Sequence, residues 1–211
     1  CRMAGIRPDC VVMVATARAL KMHGGVLKSE LKNENVDAVK RGLANLEKHI
    51  ENIGKFGLPV VVALNRFPDD TRDELEAIAG FCERKGVEFS LSEVWEKGGE
   101  GGMDLAQKII EIIEKGPAPD FRYLYDTHMS VQDKIEVLAR EMYGADGVQY
   151  SKSALKRIEY FTAKGYGALP ICVAKTQYSL SDDPALMNRP SGFSITVADV
   201  TLSAGAGFLV V

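Results

Sequence analysis

Cys10-Val-Val-Met-Val-Ala15 and Pro59-Val-Val-Val-Ala-Leu64 are the two stretches whose reading decides the fold. Each is a short apolar run without polar alternation, the pattern of a strand buried on both faces inside a parallel sheet. Between them Val36, Val39, Leu43, Leu46, His49, Ile50 and Ile53 recur at three- and four-residue steps, which places them on one face of a helix that stops near Gly54 or Gly57. Strand, helix and strand in that order make a βαβ unit with parallel strands. The rhythm continues with a helix start at Asp70-Thr71, inner positions Leu75, Ile78, Ala79 and Cys82, a stop at Gly86, and a third strand around Val87 to Val94. A helix from Met103 to Glu114 precedes Gly116-Pro-Ala-Pro119, which reads as a linker. Residues 1–115 are therefore expected to be an α/β part whose loops at the strand ends carry ligands.

Beyond the linker two helices follow in succession, Val131 to Tyr143 and Lys152 to Lys164. Strand-like segments come next at Pro170 to Lys175, Phe193 to Val197 and Thr201 to Val211. Residues 116–211 read as a smaller α+β domain, truncated at its C-terminal end. The first residue is Cys, and Gly207-Phe-Leu-Val-Val211 is an apolar run with no closing turn, so the chain is expected to be a piece of a longer polypeptide.

Composition narrows the function. With 211 residues, 46% hydrophobic and 26% charged, the chain is too apolar for a disordered protein and long enough for one large domain or one plus an appendage. Lys plus Arg number 26 against 29 Asp plus Glu, so no broad basic field exists to hold nucleic acid. The longest apolar stretch, Cys10 to Ala17, contains Thr16 and ends at Arg18, too short for a membrane span. Cysteines stand at 1, 10, 82 and 172 with no CxxC and no signal peptide, the usage of reduced thiols in a cytoplasm.

Three segments at strand ends gather chemistry. Val14-Ala-Thr-Ala-Arg-Ala-Leu-Lys-Met-His-Gly-Gly25 follows the first strand with two cations, an imidazole and a Gly pair. Strand carboxyl ends are where α/β sheets bind ligands, and such groups suit an anion, although a basic solvated loop has the same composition. Ala63-Leu-Asn-Arg-Phe-Pro-Asp-Asp-Thr71 puts Phe67 and Pro68 where the chain should enter solvent, as one wall of a slot or as packing under the next helix. Leu91-Ser-Glu-Val-Trp-Glu-Lys-Gly-Gly-Glu-Gly-Gly102 carries the only Trp beside a Gly-rich loop. A rigid aromatic there makes a stacking surface. That loop holds Glu96 and Glu100 and lacks a Lys-Ser/Thr ending, which argues against a phosphate cradle. Neither GxxxxGK[ST] nor GxGxxG occurs, and the three His have no metal-ligand spacing, so no metal site is expected. Lys175-Thr-Gln-Tyr-Ser179 is either a site or a turn held by hydrogen bonds.

Taken in order, these segments resemble the formate–tetrahydrofolate ligase family. Val14 to Gly25 is similar to the family signature VAT[IV]RALKxHGG, with Ala17 where Ile or Val is usual. Leu46 to Ile53, Ser90 to Gly102, Tyr143 to Gly147, Ala174 to Ser179 and Ser203 to Gly207 also look familial, so the resemblance spans essentially the whole chain. It implies a P-loop NTPase-like three-layer architecture, incomplete here because the family's phosphate-gripping loop lies in an N-terminal portion outside this sequence. It also implies a ligase that uses ATP and Mg²⁺ to activate formate as formyl phosphate and passes the formyl group to N10 of tetrahydrofolate. Arg18, Lys21 and His23 would be the catalytic cations, Thr16, Gly24, Gly25 and Asn65 would line the nucleotide or formyl phosphate, and Phe67, Pro68, Leu91 and Trp95 would hold the folate. The family adds stimulation by a monovalent cation, a homo-oligomeric state and small molecules as partners, while the charge balance and the short apolar runs argue against nucleic acid and membrane. A non-catalytic folate-binding or scaffolding module, or another ATP-dependent acid-activating ligase, stays open beside this reading, and the isolated piece is expected to be inactive.

Overall fold

In the computed structural model of the chain, which describes residues 2–174 and 179–211, three strands form a parallel sheet. These are β1 (Val11–Ala15), β2 (Val60–Asn65) and β3 (Glu88–Ser92), in the order β1-β2-β3, with Val11 opposite Val60 and Val61 opposite Glu88. Cys1 and the expected polar cluster Lys175-Thr-Gln-Tyr178 lie outside the described residues.

The sheet belongs to one compact unit, Pro8–Arg122. Helices α1 (Ala17–His23), α2 (Val36–Gly54) and α3 (Arg72–Arg84) cover one face, where Leu20, Val39, Leu43, Leu46, Ile78 and Cys82 close over Val62 and Leu64. Each of these helices starts at a residue whose side chain accepts a backbone N–H, namely Thr16, Asn35 and Thr71, the last within a full capping box with Glu74. On the other face α5 (Met103–Lys115) lies against β2 and β3.

The expectation of burial on both faces holds for β2, whose Val61, Val62, Ala63 and Leu64 are all buried, and fails for β1. Val12 and Val14 are 38% and 68% exposed, because β1 is at the sheet edge and its second face has no helix over it among the described residues. The expected third strand also stops early, at Ser92, and Val94–Lys97 form a short helix, α4. The Gly116–Pro119 segment does not mark the division between units. Arg122 donates its backbone N–H to Phe56 O at 3.0 Å and its Nε to Lys55 O at 3.1 Å, which keeps the segment with the end of α2.

The second unit comprises Tyr123–Val211 with the N-terminal residues up to Arg7. Helix α6 (Val131–Leu138) runs on through one π-helical turn to Tyr143 and stops at Gly144, and α7 spans Lys152–Ala163. Strands β4 (Gly147–Tyr150) and β6 (Ser194–Val197) pair in parallel. A separate sheet has the order β5 (Ile171–Cys172), β8 (Phe208–Val210), β7 (Thr201–Ser203). The single strand expected over Thr201 to Val211 is thus an antiparallel hairpin. Ile135, Ile158, Phe161, Val200 and Leu209 fill the core between these elements. Lys134 is fully buried beside it, its ammonium donating to Thr127 O, Gly167 O and Leu169 O at 3.1, 2.6 and 2.9 Å.

Candidate functional site

Strands β2 and β3 end side by side, and Arg66 N donates to Ser92 O at 3.0 Å, carrying the ladder one residue past Asn65. Two loops leave from this point. The first, Phe67 to Asp70, is a tight turn closed twice: Asp70 N donates to Phe67 O at 3.0 Å, and Phe67 N donates to Asp70 Oδ2 at 2.8 Å. The second returns on itself, Glu93 N donating to Gly101 O at 3.1 Å, and lifts α4 with Trp95. A Cβ on Gly101 would stand 2.4 Å from the Glu93 carbonyl carbon and oxygen, so the Gly-rich run packs closely under the Trp95 helix.

A shallow slot lies between the loops, lined by Arg66, Phe67, Pro68, Glu93, Trp95 and Glu96 and open to solvent. Trp95 is 73% exposed, an unusual position for a side chain that usually hides its ring. Between the apolar walls lies an ionic bridge. Arg66 Nη1 donates to Glu93 Oε1 and Lys97 Nζ donates to Glu93 Oε2, each at 2.5 Å. Hydrogen bonds from Lys97 and then Arg66 hold the Glu93 carboxyl below the ordinary carboxylate range, so it stays anionic. The bridge joins the exit of β2 to the exit of β3.

The stretch from Thr16 to Gly25 stands behind the first wall. Thr16 caps α1 by accepting Ala19 N–H at 3.1 Å, and Ala17 is fully buried. The Arg18 guanidinium lies over the Phe67 ring, 4.6 Å from its centroid, with Nη2 donating to Asp69 Oδ2 at 2.7 Å. Lys21 is 0% exposed, its Nζ 3.0 Å from Glu74 Oε1 and 3.1 Å from Asn33 O. That side chain is committed inside the unit, which corrects the expectation that it faces an anion. His23 is half-buried near His49, and burial, followed by the charge of His49, pushes its imidazole below the usual histidine range. Gly24 is where α1 meets α2: a Cβ there would fall 1.9 Å from Ala38 O. Gly25, at φ +94, turns the chain out of the helix. Both glycines have a packing or turning task.

Phe67, Pro68 and Trp95 share the slot, and Arg18 touches it through Phe67. Leu91 is half-buried against the core of the unit and does not line the slot, and Asn65 is half-buried at the last position of β2 opposite Ser92. Arg66 and Glu93 were not singled out from the sequence. The signal available was their opposite charge, each one residue past a strand, which becomes adjacency only once the register of β2 on β3 is known. Asp70 is a further group of this corner, buried, with its carboxyl pushed up chiefly by desolvation.

Residues 1–211 match the sequence family described as Formate--tetrahydrofolate ligase. The chain belongs to this family. Formate–tetrahydrofolate ligases act in one-carbon metabolism with ATP and tetrahydrofolate as substrates. Among the described residues no helix is long and apolar enough to cross a membrane, and no group of three or more His, Cys, Asp or Glu is arranged to hold a metal ion.

Proposed function

We propose that this chain carries the pterin slot of an enzyme that joins formate to N10 of tetrahydrofolate at the expense of ATP, through formyl phosphate. The observation that supports the reading is the pairing of Phe67 and Pro68 with the exposed Trp95 across one slot at adjacent strand ends. A planar heterocycle gains most from rigid apolar walls, and stacking adds about 0.5 to 1.5 kcal/mol beyond area burial. Formyl transfer asks mainly for orientation of N10 against a reactive acyl group, so a slot that fixes the ring supplies a large part of the catalysis.

Mg²⁺ would travel with the nucleotide phosphates. Among the described residues no group of three or more His, Cys, Asp or Glu is arranged to hold it. Of the three expected cations, Lys21 is paired with Glu74, His23 is half-buried and Arg18 reaches the slot through Phe67.

Trp95→Ala tests the reading. It should raise the tetrahydrofolate KM of the active enzyme while leaving the KM for ATP nearly unchanged, and tetrahydrofolate should alter the emission of this single Trp. Unchanged emission at saturating tetrahydrofolate, with an unchanged KM in Trp95→Ala, would remove the slot from the pterin site.

A further inference from the structure

The arginine of the Val14–Gly25 stretch has geometry that an anion ligand does not explain. Its guanidinium uses only Nη2 on Asp69, at 2.7 Å, although a carboxylate invites a two-pronged contact. Its Nε is buried and has no hydrogen-bond partner, so that edge is open neither to the carboxylate nor to a ligand. What the plane of the group does satisfy is the ring of Phe67, 4.6 Å from its centroid. The rest of Phe67 is equally constrained, its N–H and C=O both bonded to Asp70, and Asp69 sits in the same turn. Backbone, ring and the cation that covers the ring are thus fixed by one four-residue turn and by α1.

Resting on the assignment of the slot to the pterin, we infer that Arg18 is a positioning residue for tetrahydrofolate: it covers one face of Phe67 so that the other is presented, at a fixed angle, to the ring opposite Trp95. A phenyl ring with neither support would rotate about its side-chain bonds, and binding would have to freeze it. The guanidinium stack removes that cost in advance and draws on the ring quadrupole. Arginine suits the task because its fork is flat and permanently charged, whereas a lysine offers a point charge.

The test measures tetrahydrofolate binding by calorimetry, and KM for ATP and for tetrahydrofolate, in the active enzyme carrying Arg18→Met, Asp69→Asn, Phe67→Leu and the Arg18→Met/Phe67→Leu pair. Arg18→Met should weaken tetrahydrofolate binding about three- to tenfold and leave the ATP KM within about twofold of wild type. Asp69→Asn, at a half-exposed site, should shift binding in the same direction by less. The paired variant should bind no more weakly than Phe67→Leu alone, since Arg18 acts only through that ring. Wild-type tetrahydrofolate binding in both Arg18→Met and Asp69→Asn would overturn the inference, as would losses that add in the paired variant. An altered ATP or formate KM with unaltered tetrahydrofolate binding would overturn it in favour of a direct anion contact. Wild-type binding in Phe67→Leu and Trp95→Ala would instead refute the slot assignment itself, a result distinguishable from any produced by Arg18 alone.

Discussion

Replacing Lys21 by Met separates a structural ion pair from an anion contact. The ammonium lies 3.0 Å from Glu74 Oε1 and 3.2 Å from Oε2, and both side chains are fully buried. At 3.0 Å and an effective dielectric of about 20, the Coulomb attraction is about 5.5 kcal/mol before desolvation is subtracted. Removing one partner leaves the other charge buried, at a cost of about 3 to 5 kcal/mol. Glu74 has further obligations, accepting Asn35 N–H at 2.8 Å and Thr71 N–H at 3.3 Å, so it cannot turn away to water without opening the starts of α2 and α3. Lys21→Met should therefore lose about 3 to 5 kcal/mol in urea unfolding followed by far-UV circular dichroism. Lys21→Met/Glu74→Leu should recover much of this, with a residue of about 1 to 3 kcal/mol for the two N–H groups left without an acceptor. If Lys21→Met unfolded within about 1 kcal/mol of wild type while turnover collapsed, the side chain would have to reach substrate and the structural pairing with Glu74 would be refuted.

Other perturbations follow from the same geometry. Gly101→Ala must push the loop off Glu93, and it is expected to weaken tetrahydrofolate binding while moving the unfolding midpoint little, as read by calorimetry and circular dichroism. His23 and His49 both have imidazoles lowered from 6.5 by burial, so the unfolded chain binds the extra protons; their contribution is complete above about pH 6.5 and is lost as pH falls through their lower folded values. The urea midpoint should drop on acidification from neutrality, and His49→Gln should flatten that slope. Lys134→Met strips donors from three carbonyls in the second unit and should cost about 3 kcal/mol or more in its unfolding; a loss under about 1 kcal/mol would mean that water replaces the ammonium freely.

The βαβ units were legible because both periods are strong: unbroken apolar runs at β1 and β2, and seven inner positions along α2. Exposure of β1 was not, since the residues of an edge strand read like those of a central one until the strand order is known. Gly147–Tyr150 is four residues long and holds a Gly and a Gln, too little pattern to announce β4. The hairpin within Thr201 to Val211 turns at Ala204-Gly-Ala-Gly207, whose glycines permit the reversal that the apolar flanks conceal. At the site, Phe67, Pro68 and Trp95 stood out because rigid apolar groups at strand ends contradict the expectation for a loop. The partner of Lys21 is 53 positions away and on a different helix, so the same local reading that noticed its charge had no means of seeing that the charge was already matched.

The contact of α1 with α2 has a dynamic consequence. Gly24 meets Ala38 O and Gly42 meets Leu20 O so closely that a Cβ at either would overlap the opposite backbone. A seven-residue helix has no stability of its own in water, so α1 persists only while α2 holds it. Its amides should consequently show no private opening: exchange of the Leu20 and Gly24 hydrogens, bonded to Thr16 O and Leu20 O, should proceed at the free energy of opening α2 itself. The support behind Phe67 thus has the lifetime of the longest helix in its unit, and the wall it steadies cannot soften on the timescale of turnover without that helix coming loose.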